Sequence, residues 1–425
     1  MRFRYSAEEN GRPIKKAAVY TQDEHKINFS DVDSQAVYVT ERLQANGYET
    51  YIVGGAVRDL ILGKKPKDFD IATAASPTKI KRIFRNARII GRRFRLVHVF
   101  FGPKIFEVST FRSIKDGPTS NTFGTVEEDV LRRDFSLNAL FYDPLKQIVV
   151  DYVGGMKDIR KRTIRPIIAL PHIFTDDPVR MIRAVKYGTI TGFKLPFSLR
   201  WRLRRQSYLL AGISPSRLTE EIFKIIHSPH ALEIVKSLDA FGLYGYLQPR
   251  AAELFRTVPG FRDRYFKTMG TLNREGFADR PGETLSALIR DYLDDNADWN
   301  PKGLLADPKS RPADEKPAGE HPDTAPGPRS LAERCKSVFV LARKFVLPMN
   351  PPRRELDAAV KLLFAEHGVS IKKIRFNDRL PRRPKPASAG KPEDAGKPAP
   401  DAPQTNTEAA PNTRRRKRRK PRPIQ

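Results

Sequence analysis

The sequence predicts an α+β protein: a mixed sheet flanked by helices in its first part, an all-helical second part, and a disordered basic tail. Three observations carry that reading. Between residues 30 and 152, short runs rich in Val, Ile and Phe alternate with helix-length segments, the pattern of a layered α and β unit. Beyond Asp176 the strand signals stop, and segments with helical spacing and basic outer faces succeed one another. Residues 301–329 and 378–425 are Pro-rich and apolar-poor, a composition that buries no core.

In chain order, residues 1–30 are polar and mixed and read as an extended arm. Residues 33–46 (SQAVYVTERLQAN) read as a helix stopped by Gly47. Residues 51–53 read as a strand that runs into Gly54-Gly55, and residues 56–62 as a short helix closed by Gly63. Residues 69–73 are strand-like, and 77–86 form a basic amphipathic helix. Residues 88–90, 95–101 and 105–112 read as strands separated by Gly91 and the turn Gly102-Pro103. Residues 115–125 (KDGPTSNTFGT) are a loop by composition, 126–140 a helix, and 147–152 a last strand. Helical spacing then marks 176–190, 197–210, 215–227 and 230–241, and later 330–346 and 352–367. These elements group into an arm (1–30), a head (31–170), a helical neck (171–245) and a helical body (246–300 and 330–377). The insertion (301–329) and tail (378–425) complete the chain.

Lys and Arg number 78 against 49 Asp and Glu, a formal charge of +29. Such a surplus favours a polyanionic partner, because basic side chains release counterions condensed on phosphates. The tail, ending in a run that includes Arg414, Arg415 and Arg416, holds fourteen of the basic and five of the acidic residues. About +20 therefore stays on the remainder. The tail run suits contact with RNA or with an acidic protein partner. The single cysteine, Cys335, excludes an intrachain disulfide and suits a reducing, cytoplasmic setting. The first residues carry charge without a following apolar run, so no secretory leader is expected. No apolar stretch approaches the length of a membrane span.

The chemistry concentrates in YIVGGAVRDLILGKKPKDFDIAT. Taken singly, a double glycine reads as a turn and an Asp-x-Asp as a solvated surface pair. Together they point to a phosphate and metal site. Asp68 and Asp70 lie two apart at a strand's start, so alternation puts both carboxylates on one face. Adjacent acids repel unless a cation neutralises them, and hard oxygen ligands suit Mg²⁺, often as a pair of ions about 3.5–4 Å apart. Gly54 and Gly55 let the backbone approach a ligand, the following helix offers free N–H groups, and Arg58 adds a planar fork for phosphate. No Gly-Lys-Ser/Thr follows, so this is not a Walker loop. Glu107 sits on a neighbouring strand as a possible third carboxylate, its facing left open by the sequence.

GGAVRD with KDFDIAT resembles the signature of the nucleotidyltransferase superfamily that includes bacterial poly(A) polymerases and CCA-adding enzymes. Further motifs follow in the family's order: RRDFSLNA from Arg132, DYVGG with Asp158, and DDPVR from Asp176 to Arg180 with Arg183-Ala184. The similarity covers roughly residues 20–250. It implies a polymerase beta-like nucleotidyltransferase head, in which Asp68 and Asp70 hold two Mg²⁺ ions and Asp134 is a further active-site acid. It likewise implies that Gly54, Gly55, Arg58 and Arg133 contact the nucleotide. Asp177, Arg180 and Arg183 would hold and read the incoming base, ATP being the substrate. Asp176 departs from the family's usual Glu. On a continuous helix, Asp177 and Arg180 would be i, i+3 on one face, presenting acceptor and donor together.

The choice of product turns on IIGRRFRLVHV, which resembles the segment of bacterial poly(A) polymerases; CCA-adding enzymes usually carry a shorter stretch there. Physically it is a basic, aromatic-containing strand edge in which Arg92, Arg93 and Arg95 suit RNA contact. It also fits an ordinary strand with solvated arginines. The expectation is template-independent addition of AMP to RNA 3′ ends, with a part in mRNA polyadenylation and RNA turnover. CCA addition to tRNA is the alternative, and a non-catalytic RNA-binding protein stands behind it.

Overall fold

The structure is a computed structural model and describes residues 2–7, 13–91, 96–113, 122–273, 282–297, 299 and 331–369. Nine strands form one sheet: β1 (Arg2–Ala7), β2 (Pro13–Tyr20), β3 (Thr50–Val53), β4 (Asp70–Thr73), β5 (Ala87–Ile90), β6 (Leu96–Phe101), β7 (Lys104–Thr110), β8 (Leu140–Asp143) and β9 (Ile148–Asp151). Their order is β1-β2-β9-β8-β3-β4-β7-β6-β5. Every named pair is antiparallel except β4 with β7, which runs parallel. The sheet is therefore mixed, as the sequence predicts.

The helices of this part are α1 (Gln22–His25), α2 (Ser34–Ala45), α3 (Gly55–Ile61), α4 (Pro77–Ile83), α5 (Val126–Arg132) and α6 (Gly155–Arg160). The helical half follows as α7 (Ile173–Asp176), α8 (Val179–Thr191), α9 (Phe197–Arg205), α10 (Pro215–Ile226), α11 (Ala231–Ala240) and α12 (Tyr244–Leu247). It closes with α13 (Pro249–Thr257), α14 (Phe261–Gly270), α15 (Glu283–Asn296), α16 (Leu331–Phe345) and α17 (Arg353–Glu366). No helix of the described residues is long and apolar enough to cross a membrane.

Local chemistry explains most boundaries. Asp33 caps α2 by accepting from the Gln35 and Ala36 N–H groups, and Ala36, Val39 and Leu43 recur on its buried face. Thr125 and Glu128 form a reciprocal capping box that starts α5. Two expectations differ from the structure. Residues 1–30, read as an arm, contribute β1 and β2, and β2 pairs with β9 through Ala18, Val19 and Tyr20. The helix expected over 126–140 ends at Arg132. Arg133 turns extended, a 3₁₀ turn spans Ser136–Asn138, and β8 follows. Phe135 and Leu137 are fully buried ahead of β8, which is itself buried between β9 and β3, so packing rather than local helical spacing ends the helix.

The sheet and the helices share one core. A single cluster of buried side chains runs from Ala18 and Ile52 through Phe135, Ile182 and Leu238 to Leu288 and Phe364. A second cluster around Phe111 and Phe141 and a third around Ile71 and Val97 pack against the sheet elsewhere. The insertion at 301–329 and the tail at 378–425, with Arg414, Arg415 and Arg416, lie outside the described residues. So do Arg92, Arg93 and Arg95.

Candidate active site

The site assembles where β3 meets α3. β3 pairs with β4 so that Val53 faces Asp70 across the ladder. Gly54 makes the turn out of β3 with φ 75° and ψ −135°, a region that side-chain-bearing residues rarely enter. A β-carbon placed there would lie 3.7 Å from Asp70 Oδ2, so backbone and carboxylate are close neighbours. β7 runs parallel to β4 with Ile71 opposite Val108, which sets Glu107 beside Asp70. Asp68 precedes β4 rather than lying within it, so its nearness to Asp70 comes from the loop.

Three negative charges meet here. Crowding by the surrounding protein, then the charge of Glu107, and then that of Asp68 raise the Asp70 pKa, while Arg133 and Lys224 oppose them; the outcome is about 6. Neither Asp68 nor Asp70 forms an ion pair with a basic side chain among the described residues. Among the described residues the ion-pair partner of Glu107 is the cross-strand His98, at 3.5 Å. Among the described residues no three His, Cys, Asp or Glu side chains converge as a ready-made metal cluster. The donor set that fits a hard divalent ion is therefore Asp68 with Asp70, and Glu107 adds its charge from the side. A carboxyl raised in the fold favours the folded state most when protonated, so its contribution to stability shrinks as pH climbs from the ordinary carboxylate range through 6. In the metal-free protein, a carbon-13 NMR titration of Asp70 is expected to show a midpoint near 6. The variant Glu107→Gln is expected to move that midpoint down; an unmoved midpoint would separate Glu107 from the cluster.

Arg58 is 6% exposed and already engaged. It donates to Asp59 and to Asn138 Oδ1 at 2.8 Å each, and its guanidinium lies 5.5 Å from the Tyr187 ring centre. It ties α3 to the 3₁₀ turn and to α8, and its Nη2, 2.8 Å from Asp59 Oδ1, also lies beside Gly55. Arg133 donates to Asp129 at 3.2 and 3.0 Å and to the Asn138 carbonyl at 3.1 Å, and its charge reaches Asp70. Beneath both, the DYVGG turn is a scaffold. Asp151, 2% exposed, accepts from the N–H groups of Val153, Gly154, Gly155 and Met156. Gly155 lies so close to the Ser136 carbonyl that a β-carbon would approach to 2.3 Å. Asp158 accepts from Ser136 Oγ at 2.6 Å and Arg165 Nε at 2.7 Å. These bonds hold the turn from which Asn138 reaches Arg58.

Asp134 turns away from its neighbour Arg133. Its carboxylate accepts from the Phe135 N–H at 2.8 Å and lies 3.9 Å from Arg183 Nη1. The structure thus places Asp134 among the residues expected to read the base. Asp177 is not on the helix expected over 176–190. It adopts extended backbone after α7, with Pro178 between it and α8, so the two residues do not share one continuous helix, although the Arg180 N–H donates to the Asp177 carbonyl at 3.1 Å and the Asp177 charge acts on the Arg180 guanidinium. Proline at 178 disfavours helical geometry for the residue before it. Asp177 is held instead by Arg217 of α10, which donates to both carboxylate oxygens at 2.9 Å. Arg180, 7% exposed, donates to the Ile173 carbonyl at 3.2 Å.

The helix expected over 215–227 forms as α10, but its functional residues Arg217 and Glu221 are not among those the sequence singles out. Glu221, 2% exposed, accepts from Arg183 at 3.2 and 3.0 Å and lies 3.4 Å from Lys186 and 3.6 Å from Lys224. Burial raises its pKa, but Lys186, Arg183 and Lys224 together outweigh that and hold it low. Since the Lys224 charge also reaches Asp70, Glu221 connects the carboxylate cluster to the Asp134–Arg183 group. A signal existed: Leu218, Glu221, Ile222 and Ile225 share one helical stripe, and an acid on a buried stripe requires partners.

Comparison with known proteins gives consistent matches. A family model of the poly A polymerase head domain matches residues 50–165. One described as a probable RNA and SrmB-binding site of polymerase A matches residues 192–255. Poly(A) polymerase I of Escherichia coli O6:H1 is 41% identical over 256 residues, covering 56% of this chain and 55% of that protein. The CCA-adding enzyme of Geobacillus kaustophilus is 36% identical over 236 residues, covering 54% of this chain and 58% of its own. The matched region therefore spans little more than half the length of these curated relatives. The crystal structure of the Bacillus stearothermophilus CCA-adding enzyme in complex with CTP superposes with a TM-score of 0.50 at 28% identity. It covers 78% of this chain and 82% of that one.

Proposed function

The chain belongs to the nucleotidyltransferase family of bacterial poly(A) polymerases and CCA-adding enzymes, and from that premise we propose that it adds AMP from ATP to RNA 3′ ends without a template. The carrying observation is the pair Asp68 and Asp70, without a basic ion-pair partner among the described residues and joined through Lys224 and Glu221 to the Asp134–Arg183 group. In the reaction the RNA 3′-oxygen bonds to the α-phosphorus of ATP, the bond to the β-phosphate oxygen breaks, pyrophosphate leaves and the hydroxyl proton is lost. Asp68 and Asp70 would hold magnesium, as two ions, which when bound neutralises phosphate charge and acidifies the attacking hydroxyl.

The chain's own residues bind and orient. Gly54 and Gly55 admit the triphosphate to the backbone, and Arg133 and Lys224, whose charges both reach Asp70, balance its charge. Asp177, Arg180 and Arg183 supply an acceptor and donors for the edge of the base, Asp177 being positioned by Arg217. Adenine and cytosine both pair an exocyclic amine donor with a ring-nitrogen acceptor, whereas uracil presents the reverse. The acceptor–donor set therefore suits A and C and rejects U. Arg217→Ala is expected to lower the ATP-over-UTP ratio of kcat/KM by about tenfold, through loss of one oriented charged hydrogen bond. An unchanged ratio would remove Asp177 from base selection.

The same chemistry supports a second reading, CCA addition, since CCA-adding enzymes are among the relatives. Purified protein is given an A-ended oligonucleotide and a tRNA lacking its CCA end, with ATP, CTP or both. Long A tails with ATP alone support poly(A) synthesis; CTP-dependent completion of the tRNA supports the second. We infer a cytoplasmic setting, supported by a single, buried cysteine, Cys335.

A further inference from the structure

α9 presents an unusual outer face. Its sequence, FSLRWRLRR, buries Leu199 and Leu203 at one-turn spacing, and Leu210 beyond it is fully enclosed as well. That inward set rotates Phe197, Trp201 and Tyr208 outward, at 74%, 47% and 62% exposure. Around them stand Arg200, Arg202, Arg204 and Arg205, none paired with a carboxylate among the described residues. By contrast, Arg183, Arg217, Arg250, Arg262, Arg264, Arg290 and Arg353 of the helical half each meet an acid. The Arg205 guanidinium lies 5.2 Å from the Trp201 ring centre. Two open recesses flank Trp201, one of about 480 Å³ toward Arg205 and Tyr208, the other of about 360 Å³ toward Phe197 and Arg204.

We propose that this face is a stacking platform for the unpaired bases of single-stranded RNA, with Trp201 as its central ring. The inference rests on the reading that the protein acts on RNA, and it names the residues that hold the strand. Each feature answers a property of that ligand. Exposed rings match the flat faces of successive bases, and unpaired guanidinium groups match the phosphates between them. Because every base has a π-face, such a platform accepts any sequence, as an enzyme extending varied 3′ ends requires. A protein partner with an apolar surface would leave four like charges uncompensated. A lipid surface would need a continuous apolar stripe, and the apolar stripe of α9 is already spent on the core.

The test uses the full chain with Trp299→Phe, which leaves Trp201 as its only tryptophan. Trp299 stacks on His367 away from this face, and phenylalanine keeps the ring contact. Saturable quenching of Trp201 emission is expected with an oligoadenylate, and none with an abasic oligomer of equal length. In the otherwise native chain, Trp201→Ala is expected to weaken oligoadenylate binding roughly 5- to 100-fold, the range for loss of one base–aromatic stack. Trp201→Phe should restore most of it, and abasic binding should move little. Unchanged oligoadenylate affinity in Trp201→Ala overturns the platform. So does equal loss for both oligomers, or a Trp201 emission shift with anionic phospholipid vesicles but not with RNA. Failure of the proposed reaction is distinguishable, as a wild-type chain that binds and quenches yet incorporates no nucleotide.

Discussion

Replacing Asp70 with alanine is expected to lower AMP incorporation about a thousandfold or more while RNA binding persists, and Asp68→Ala is expected to do the same. The size follows from what the pair is placed to do. Divalent-ion stabilisation of phosphoryl charge is worth several kcal/mol, and about 4 kcal/mol corresponds to roughly a thousandfold in rate. Asp70 sits beside the Gly54 backbone and Glu107, and among the described residues no group of three or more His, Cys, Asp or Glu side chains offers an alternative metal cluster. Folding is not expected to suffer, because the raised pKa marks Asp70 as a group the fold tolerates rather than one that holds it together. Removing one of three mutually repelling charges relieves strain, so the thermal midpoint should stay level or rise. Single-turnover extension of an oligoadenylate, with thermal unfolding measured in parallel, checks both halves. Wild-type incorporation by either variant would end the metal assignment. A large fall in midpoint would show that the pair is structural.

Glu221→Ala is expected to do the opposite, destabilising the folded chain by about 3–5 kcal/mol, the range for breaking a buried ion pair by removing one partner. Arg183, Lys186 and Lys224 would be left without their shared carboxylate. Arg183 donates to the carboxylate twice, and Lys186 adds its charge although burial pulls its own pKa down. In a chain of this size the thermal midpoint should fall by roughly 5–10 °C. The pH dependence has a definite sign. Glu221 has its folded pKa held low, so its contribution is complete above the ordinary carboxylate range and is lost as pH falls through the folded value. The gap between wild type and Glu221→Gln should therefore be full at neutral pH and close in acid. Denaturant unfolding at several pH values reads it directly. A pH-independent gap would mean the buried carboxylate acts by packing alone. Since Arg183 also lies near Asp134, nucleotide affinity should fall with stability.

How far the site was readable depended on the range of the interactions that build it. GGAVRD and DFD were found because a turn glycine and an Asp-x-Asp are chemically distinctive over a few residues. The tertiary structure then gave Arg58 a different setting, since a residue read as an open phosphate fork is enclosed by Asp59, Asn138 and Tyr187. The helix expected over 126–140 stops at Arg132 because the stretch 133–139 is held by tertiary contacts, a 3₁₀ turn and the approach to β8, that local spacing does not report. Asp177 falls in the break between α7 and α8 rather than on a helix, because i, i+3 spacing says nothing of the interruption that Pro178 introduces. Glu221, Arg217 and Trp201 went unnoticed on helices whose basic outer faces look alike in sequence.

Composition and short motifs were enough to mark the mixed sheet, the helical half, the carboxylate pair and the basic balance that favours a polyanion. Each of these depends on neighbours along the chain, and hydrophobic period, capping and like-charge repulsion act at that range. Which carboxylate lies beside which, and which cation answers it, was decided only by the packing of β4 on β7 and of α10 on α8. Those pairings join residues up to tens of positions apart, and their energies depend on distance and burial, quantities that exist only once the core has closed.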